Sequence, residues 1–188
     1  TFANVVGVDT QNFNPTTNGL DFVTVQSSET LEPGLMNFGL FFNYAINTLP
    51  NYTDVTTQKR NEPLDKLLSM DVSVGLGLMK NWDIGLSFPQ VLSQEVDQSS
   101  TTFRGQFEST GMTEIRLNSK YRFFGNSSGG LATIVSMNHY MIENNPFTGT
   151  SPGPTFNLEL AYDFLIGAVN LGTNIGYRFR NPGNKVPN

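Results

Sequence analysis

Nine charged residues fall on one side of otherwise apolar, alternating rows: Asp71, Asp83, Glu114, Arg116, Lys120, Arg122, Glu159, Asp163 and Arg178. Five acids and four bases on a shared face can neutralise one another, and a charge left unpaired out of water costs several kcal/mol. The set therefore predicts a salt-bridged plug or, alternatively, a charged constriction in a pore. Other chemistry finds little footing. The chain has no cysteine and one histidine, His139, which excludes disulfides, thiolate catalysis, Cys-ligated metals and multi-histidine metal sites. A Ser/His/Asp triad around His139 is arithmetically available, but no G-x-S-x-G nucleophile elbow occurs. Gly75-Leu76-Gly77 lacks the helix and the Lys-Ser/Thr of a phosphate loop, and no Asp/Asn loop has EF-hand spacing. The expectation is a protein without catalytic residues, metal or cofactor.

The elements that must carry these charges show a period of two. Met36, Phe38, Leu40, Phe42, Tyr44 and Ile46 alternate with small or amide residues. Leu68, Met70, Val72, Val74, Leu76 and Leu78 alternate with Ser69, Asp71, Ser73, Gly75 and Gly77. Lys80-Asn81 then reads as a two-residue turn into Trp82, Ile84, Leu86 and Phe88. Further strands follow around Ile115, Leu117, Tyr121 and Phe123; around Phe156, Leu158, Leu160, Tyr162 and Phe164; and around Val169, Leu171, Ile175, Tyr177 and Phe179. Residues 131–142 also read as a strand, with its inward face unassigned. A short strand is expected at Leu20 to Gln26, and an earlier one around Val5–Val8 is conceivable. That makes about eight strands and no helix.

A soluble β-sandwich alternates too, so the second face decides. There it would meet water, where Lys, Glu and Thr are expected and Gly is costly. Here it holds Gly, Ser, Ala and Asn with charges of both signs, which suits a narrow barrel interior. Composition agrees. The 188 residues carry a net charge of −5 and only 14% charged side chains, against about 25% in ordinary soluble domains. The acidic balance argues against nucleic acid. No apolar run reaches the ~18 residues of a transmembrane helix, and the mean hydropathy of −0.23 holds equally for barrels, whose alternating strands average to polar. No signal peptide opens the sequence. Strands of about 9–11 residues match a tilted bilayer crossing. Short connections (27–34, 80–81, 125–130, 165–168) alternate with long polar ones (about 49–64, 93–110, 143–154), as in outer-membrane barrels.

These features predict an antiparallel up-and-down transmembrane β-barrel over residues 1–188, complete or part of a larger barrel. The lipid-facing rows would be Met36, Phe38, Leu40, Phe42, Tyr44, Ile46, Leu68, Val72, Val74, Leu76, Ile84, Leu86, Leu117, Leu158, Leu160, Leu171 and Ile175. Trp82, Tyr121, Phe123, Tyr162, Phe164, Tyr177 and Phe179 crowd the short-turn rim, with Phe124, as an interfacial girdle would. Thr113, Ser119, Thr133 and Thr173 interrupt the apolar rows. Such small residues allow another barrel to approach and would support a homo-oligomer, although Thr is also tolerated against lipid.

Three stretches carry a resemblance. Gln11-Asn12-Phe13-Asn14-Pro15 with Asp21-Phe22-Val23-Thr24-Val25-Gln26-Ser27 and Thr30-Leu31-Glu32-Pro33-Gly34, the Lys80-Asn81-Trp82-Asp83-Ile84-Gly85-Leu86 hairpin, and Glu114-Ile115-Arg116-Leu117 through Lys120-Tyr121-Arg122 resemble a group of OmpA-family outer-membrane proteins. The resemblance implies a non-enzymatic envelope anchor in the outer membrane of a Gram-negative bacterium, in contact with membrane lipid and with weak pore activity at most. Such proteins reach peptidoglycan through a C-terminal periplasmic domain. That domain is absent from these residues, so peptidoglycan binding does not carry over. The alternatives are an outer-membrane channel or transporter and a soluble β-sandwich binding module. If short turns are periplasmic, the strand 169–180 ends outside, and the chain is expected to be a fragment whose closing strands are missing or supplied by another chain.

Overall fold

The computed structural model describes residues 14–20, 22–46, 52–53, 60–61, 65–96, 110–126, 128–141 and 154–179. Among them are ten strands: β1 (Met36–Ile46), β2 (Tyr52–Thr53), β3 (Arg60–Asn61), β4 (Asp65–Met79), β5 (Trp82–Val96), β6 (Gly111–Met112), β7 (Glu114–Asn126), β8 (Gly129–Tyr140), β9 (Thr155–Ile166) and β10 (Val169–Phe179). The long strands form one antiparallel sheet in the order β1-β4-β5-β7-β8-β9-β10, with β6 pairing β5; β2 and β3 make a separate two-stranded hairpin. The sheet curls into a half-barrel. β1 and β10 are its edges and, after six successive antiparallel pairings, run in the same direction.

The period of two translates directly into two faces. In β1 every even residue is exposed and every odd one half-buried, because successive side chains point to opposite sides of a strand. The same alternation assigns the inner face of β8, which carries Gly130, Ala132, Ile134, Ser136 and Asn138.

Turns obey local chemistry. Lys80-Asn81 joins β4 to β5 with Asn81 at φ 122°, a conformation that asparagine tolerates better than most residues. Gly167, at φ 63°, opens the turn into β10 at no steric cost.

Two expectations change. Leu20 and residues 22–26 form no strand; they belong to an irregular strap, described over 14–20 and 22–35, that lies in the trough of the sheet. The mixed run Leu20, Phe22, Val23 and Val25 has apolar residues on both parities, and its polar backbone groups find side chains or backbone within the strap instead of a neighbouring strand. The Val5–Val8 reading lies outside the described residues. Second, β4 and β5 have 15 residues each, longer than the alternation suggested. Pro89 obscured the second half of β5. It sits just past the last β5–β7 pair, Ser87 with Arg116, and on that side its carbonyl accepts from Thr113 N at 3.0 Å. Its missing N–H therefore falls where the regular ladder has already stopped.

Candidate functional site: the polar trough

Burial in this protein is inverted. Buried hydrophobics among the described residues are few: Leu31, Leu67, Val91, Ala132, Ile134 and Ala161. Asp71, Asp83, Glu114, Arg116, Lys120 and Asp163 are each at most 7% exposed, while Phe38 and Ile175 are 75% and 74% exposed on the opposite face. All nine sequence-selected charges lie on the concave side. Asp71, Asp83, Glu114, Arg116, Lys120 and Asp163 are buried; Arg122, Glu159 and Arg178 are half-buried.

The register sorts most of these charges into layers. In the first, Arg116 bridges Glu114 at 2.5 Å and Asp71 at 3.2 Å, and Ser87 Oγ donates to Asp71 at 2.5 Å. One guanidinium thus joins two carboxylates, a task for which its planar fork is suited. The second layer places Asp83 directly opposite Lys120, with Glu159 two strands further along the same row, beyond Ile134. Glu159 lies within electrostatic reach of Lys120 and Arg178. Arg178 Nε donates to Asn157 Oδ1 at 2.8 Å, and Asn157 Nδ2 donates to Ser136 Oγ at 3.0 Å. Arg122 sits apart at the short-turn end, with Nη2 on the Asn126 carbonyl at 3.1 Å.

Between the layers runs a row that crosses every long strand: Asn37, Gly75, Gly85, Asn118, Ser136, Asn157 and Arg178. The strap rests on its glycines. A Cβ on Gly85 would stand 2.0 Å from Thr17 Oγ1, one on Gly75 2.5 Å from Thr17 O, and one on Gly77 2.0 Å from Glu32 O. The small residues of the inner face are there to admit a length of backbone.

The strap is held by the trough's polar groups. Asn37 Nδ2 donates to Thr17 O at 2.9 Å, and Thr17 and Asn118 exchange hydrogen bonds at 3.1 and 3.2 Å. Gln26 N donates to Asn174 Oδ1, and Asn174 Nδ2 to Gln26 O, both at 2.8 Å. Ser28 N donates to Asp163, Leu31 N to Asp83 at 3.0 Å, and Lys120 Nζ to Ser27 O at 3.3 Å. The buried carboxylates thus have a partner that the sequence did not announce, since nothing in residues 14–31 is complementary in charge. Between the strap and β5–β10 remains a cavity of about 450 Å³, lined by Gln26, Arg116, Asn138, Asn157, Glu159 and Arg178 among others.

The apolar rows stand on the convex face. Met36, Phe38, Leu40, Phe42, Tyr44, Ile46, Val72, Leu86, Leu117, Leu158, Leu160, Leu171 and Ile175 are exposed, and Leu68, Val74, Leu76 and Ile84 half-buried. The aromatic set divides. Trp82, Tyr121, Phe123, Phe124, Tyr162 and Phe164 cluster toward the short turns, with Trp82 opposite Tyr121 and its Nε1 on Ser119 Oγ at 2.8 Å. Tyr177 and Phe179 do not join them. They lie at the end of β10 away from its short turn, opposite Leu158 and Phe156, because β10 runs eleven residues from that turn. Of the small residues in the apolar rows, Thr173 is exposed, and Ser119 and Thr133 are half-buried. Thr113 is not on that face at all: it is 2% exposed and its Oγ donates to Pro89 O at 3.1 Å. His139 is exposed on β8, opposite Ile115.

Compared with protein-family models, with curated proteins and with solved structures, the chain matches none of them.

Proposed function

We propose that this protein is a non-enzymatic integral outer-membrane β-barrel of the OmpA-like kind, an envelope structural protein whose charged interior is packed shut. The observation that carries the reading is the inverted burial: contiguous exposed Phe, Leu, Ile and Val on the outer face of a sheet whose inner face buries charges and amides. Soluble monomers rarely expose apolar patches beyond a few hundred Å², whereas a lipid-facing strand surface requires them. A soluble sandwich would need a second sheet packed over those rows, and among the described residues the only other sheet is the two-stranded hairpin β2–β3. The strap and the layered ion pairs favour the structural role over an open channel. The channel reading keeps one supporting observation, the polar cavity beside the strap. The deciding experiment is purification with and without detergent. The protein is expected to be monodisperse only with detergent or lipid; a soluble, monodisperse chain without either refutes the proposal.

A further inference from the structure

The strap is the feature that the structural role alone does not use. We infer that residues 14–31 are a displaceable plug, and that their withdrawal turns the trough into a conducting path for small cations. The inference rests on the barrel reading above.

Three observations carry it. First, the ladders of the sheet do not include this segment. Each long strand is paired to its neighbours by its own ladder from β1 to β10, and the strap adds no strand to it. Second, the strap is anchored by isolated polar contacts to side chains of β1, β5, β7, β9 and β10. Its seam is imperfect: among the described residues, the buried hydroxyls of Ser27 and Ser28 have no hydrogen-bond partner. Water entering the seam would satisfy these groups as well as the carboxylates and amides they face, so separation exchanges protein hydrogen bonds for water ones at small net cost each. Third, the trough is already half open. The strap packs closely against Gly75, Gly77 and Gly85, while toward β8–β10 it leaves the 450 Å³ polar cavity. The lining of that cavity includes Asn138, 2% exposed, whose Nδ2 has no hydrogen-bond partner among the described residues.

Charge fixes the selectivity. Asp83 and Asp163, 2% and 3% exposed, each accept from a strap amide. Withdrawal presents both carboxylates to the lumen, and the nine inner charges, five carboxylates against Arg116, Lys120, Arg122 and Arg178, leave that wall one net negative charge. A path lined this way favours cations over chloride.

The test uses the full chain in planar bilayers, after vesicle flotation has established insertion. Because the chain has no cysteine, Thr17→Cys with Asn118→Cys supplies a clean tether across a native contact, its oxidation checked by mass. Asn174→Ala removes both bonds to Gln26. The wild type is expected to show rare openings, and Asn174→Ala about tenfold more open time, the scale of one or two lost hydrogen bonds. The oxidised tether should abolish openings and reductant restore them. In a KCl gradient the open state should favour potassium, and Asp83→Asn with Asp163→Asn should remove that preference. A chain that does not float with vesicles overturns the barrel reading and this one with it. A chain that floats, but whose conductance is unchanged by both Asn174→Ala and the tether, overturns the plug alone. An anion-selective open state overturns the assigned path.

Discussion

Arg116 is the residue on which the interior depends most visibly. Its guanidinium holds Asp71 and Glu114 together where neither meets bulk water. Arg116→Met should destabilise the protein by about 3–5 kcal/mol, since it leaves two buried carboxylates uncompensated. Restoring neutrality with Asp71→Asn and Glu114→Gln in the same chain should recover much of the loss, and urea unfolding in lipid vesicles compares the two. On the outer face the position along the strand matters. β4 runs from Asp65 to Met79, so its middle falls at Val72, opposite Leu40 and Phe88, while Leu76 lies nearer the short turn. In vesicles Val72→Arg should cost about 2–4 kcal/mol and Leu76→Arg less, as expected when charge approaches the interface. Equal costs would remove the assumed depth profile.

At the scale of elements, the strap and the glycines beneath it form one unit. Gly85→Val puts a side chain into the space of Thr17 and should lift the strap while leaving the strand ladders intact. A glutamyl endopeptidase should then cut after Glu29 in the variant at least several times faster than in the wild type, with unchanged β-sheet circular dichroism. Loss of the sheet signal instead would mean that the strap is part of the fold's foundation. What was readable in the sequence divides along the same line. β1, β7, β9 and β10 have one apolar face with little interruption, and the two faces of a strand cannot be confused when one is uniformly large and the other small or charged. The charge layers followed from the same parity. The strap was hidden because its contacts depend on no local period. Asn174 holds Gln26, and Asp163 holds Ser28, across more than a hundred residues of sequence. The second half of β5 was hidden because a proline in a strand looks like its end until the neighbour's ladder is known. The aromatic rim was overread because clustering by residue type ignores how far along β10 Tyr177 and Phe179 sit.

For the whole molecule, the exposed convex face poses the question of partners. Thr173 on the edge strand β10 is the one small residue of the candidate set that the sheet leaves fully available. If copies meet along this edge, cross-linking in native membranes should give dimers, and Thr173→Trp should reduce them severalfold; monomer alone would exclude self-association.

The strap also has a temporal meaning. It comes before every described strand, and its anchors lie on strands that come after it, with Gln26 and Asn174 separated by 148 positions. Contacts this distant in sequence form slowly, because a long loop must close before they contribute anything. A segment synthesised before the strands that anchor it is therefore the last to find its place, and it can do so only while the concave side is still accessible. Refolding should show two phases: Trp82 fluorescence and sheet circular dichroism rising together, then protection of Glu29 from proteolysis at a later time. Nascent protein would carry its interior loose until the hairpin β9–β10 has formed the wall against which it seats.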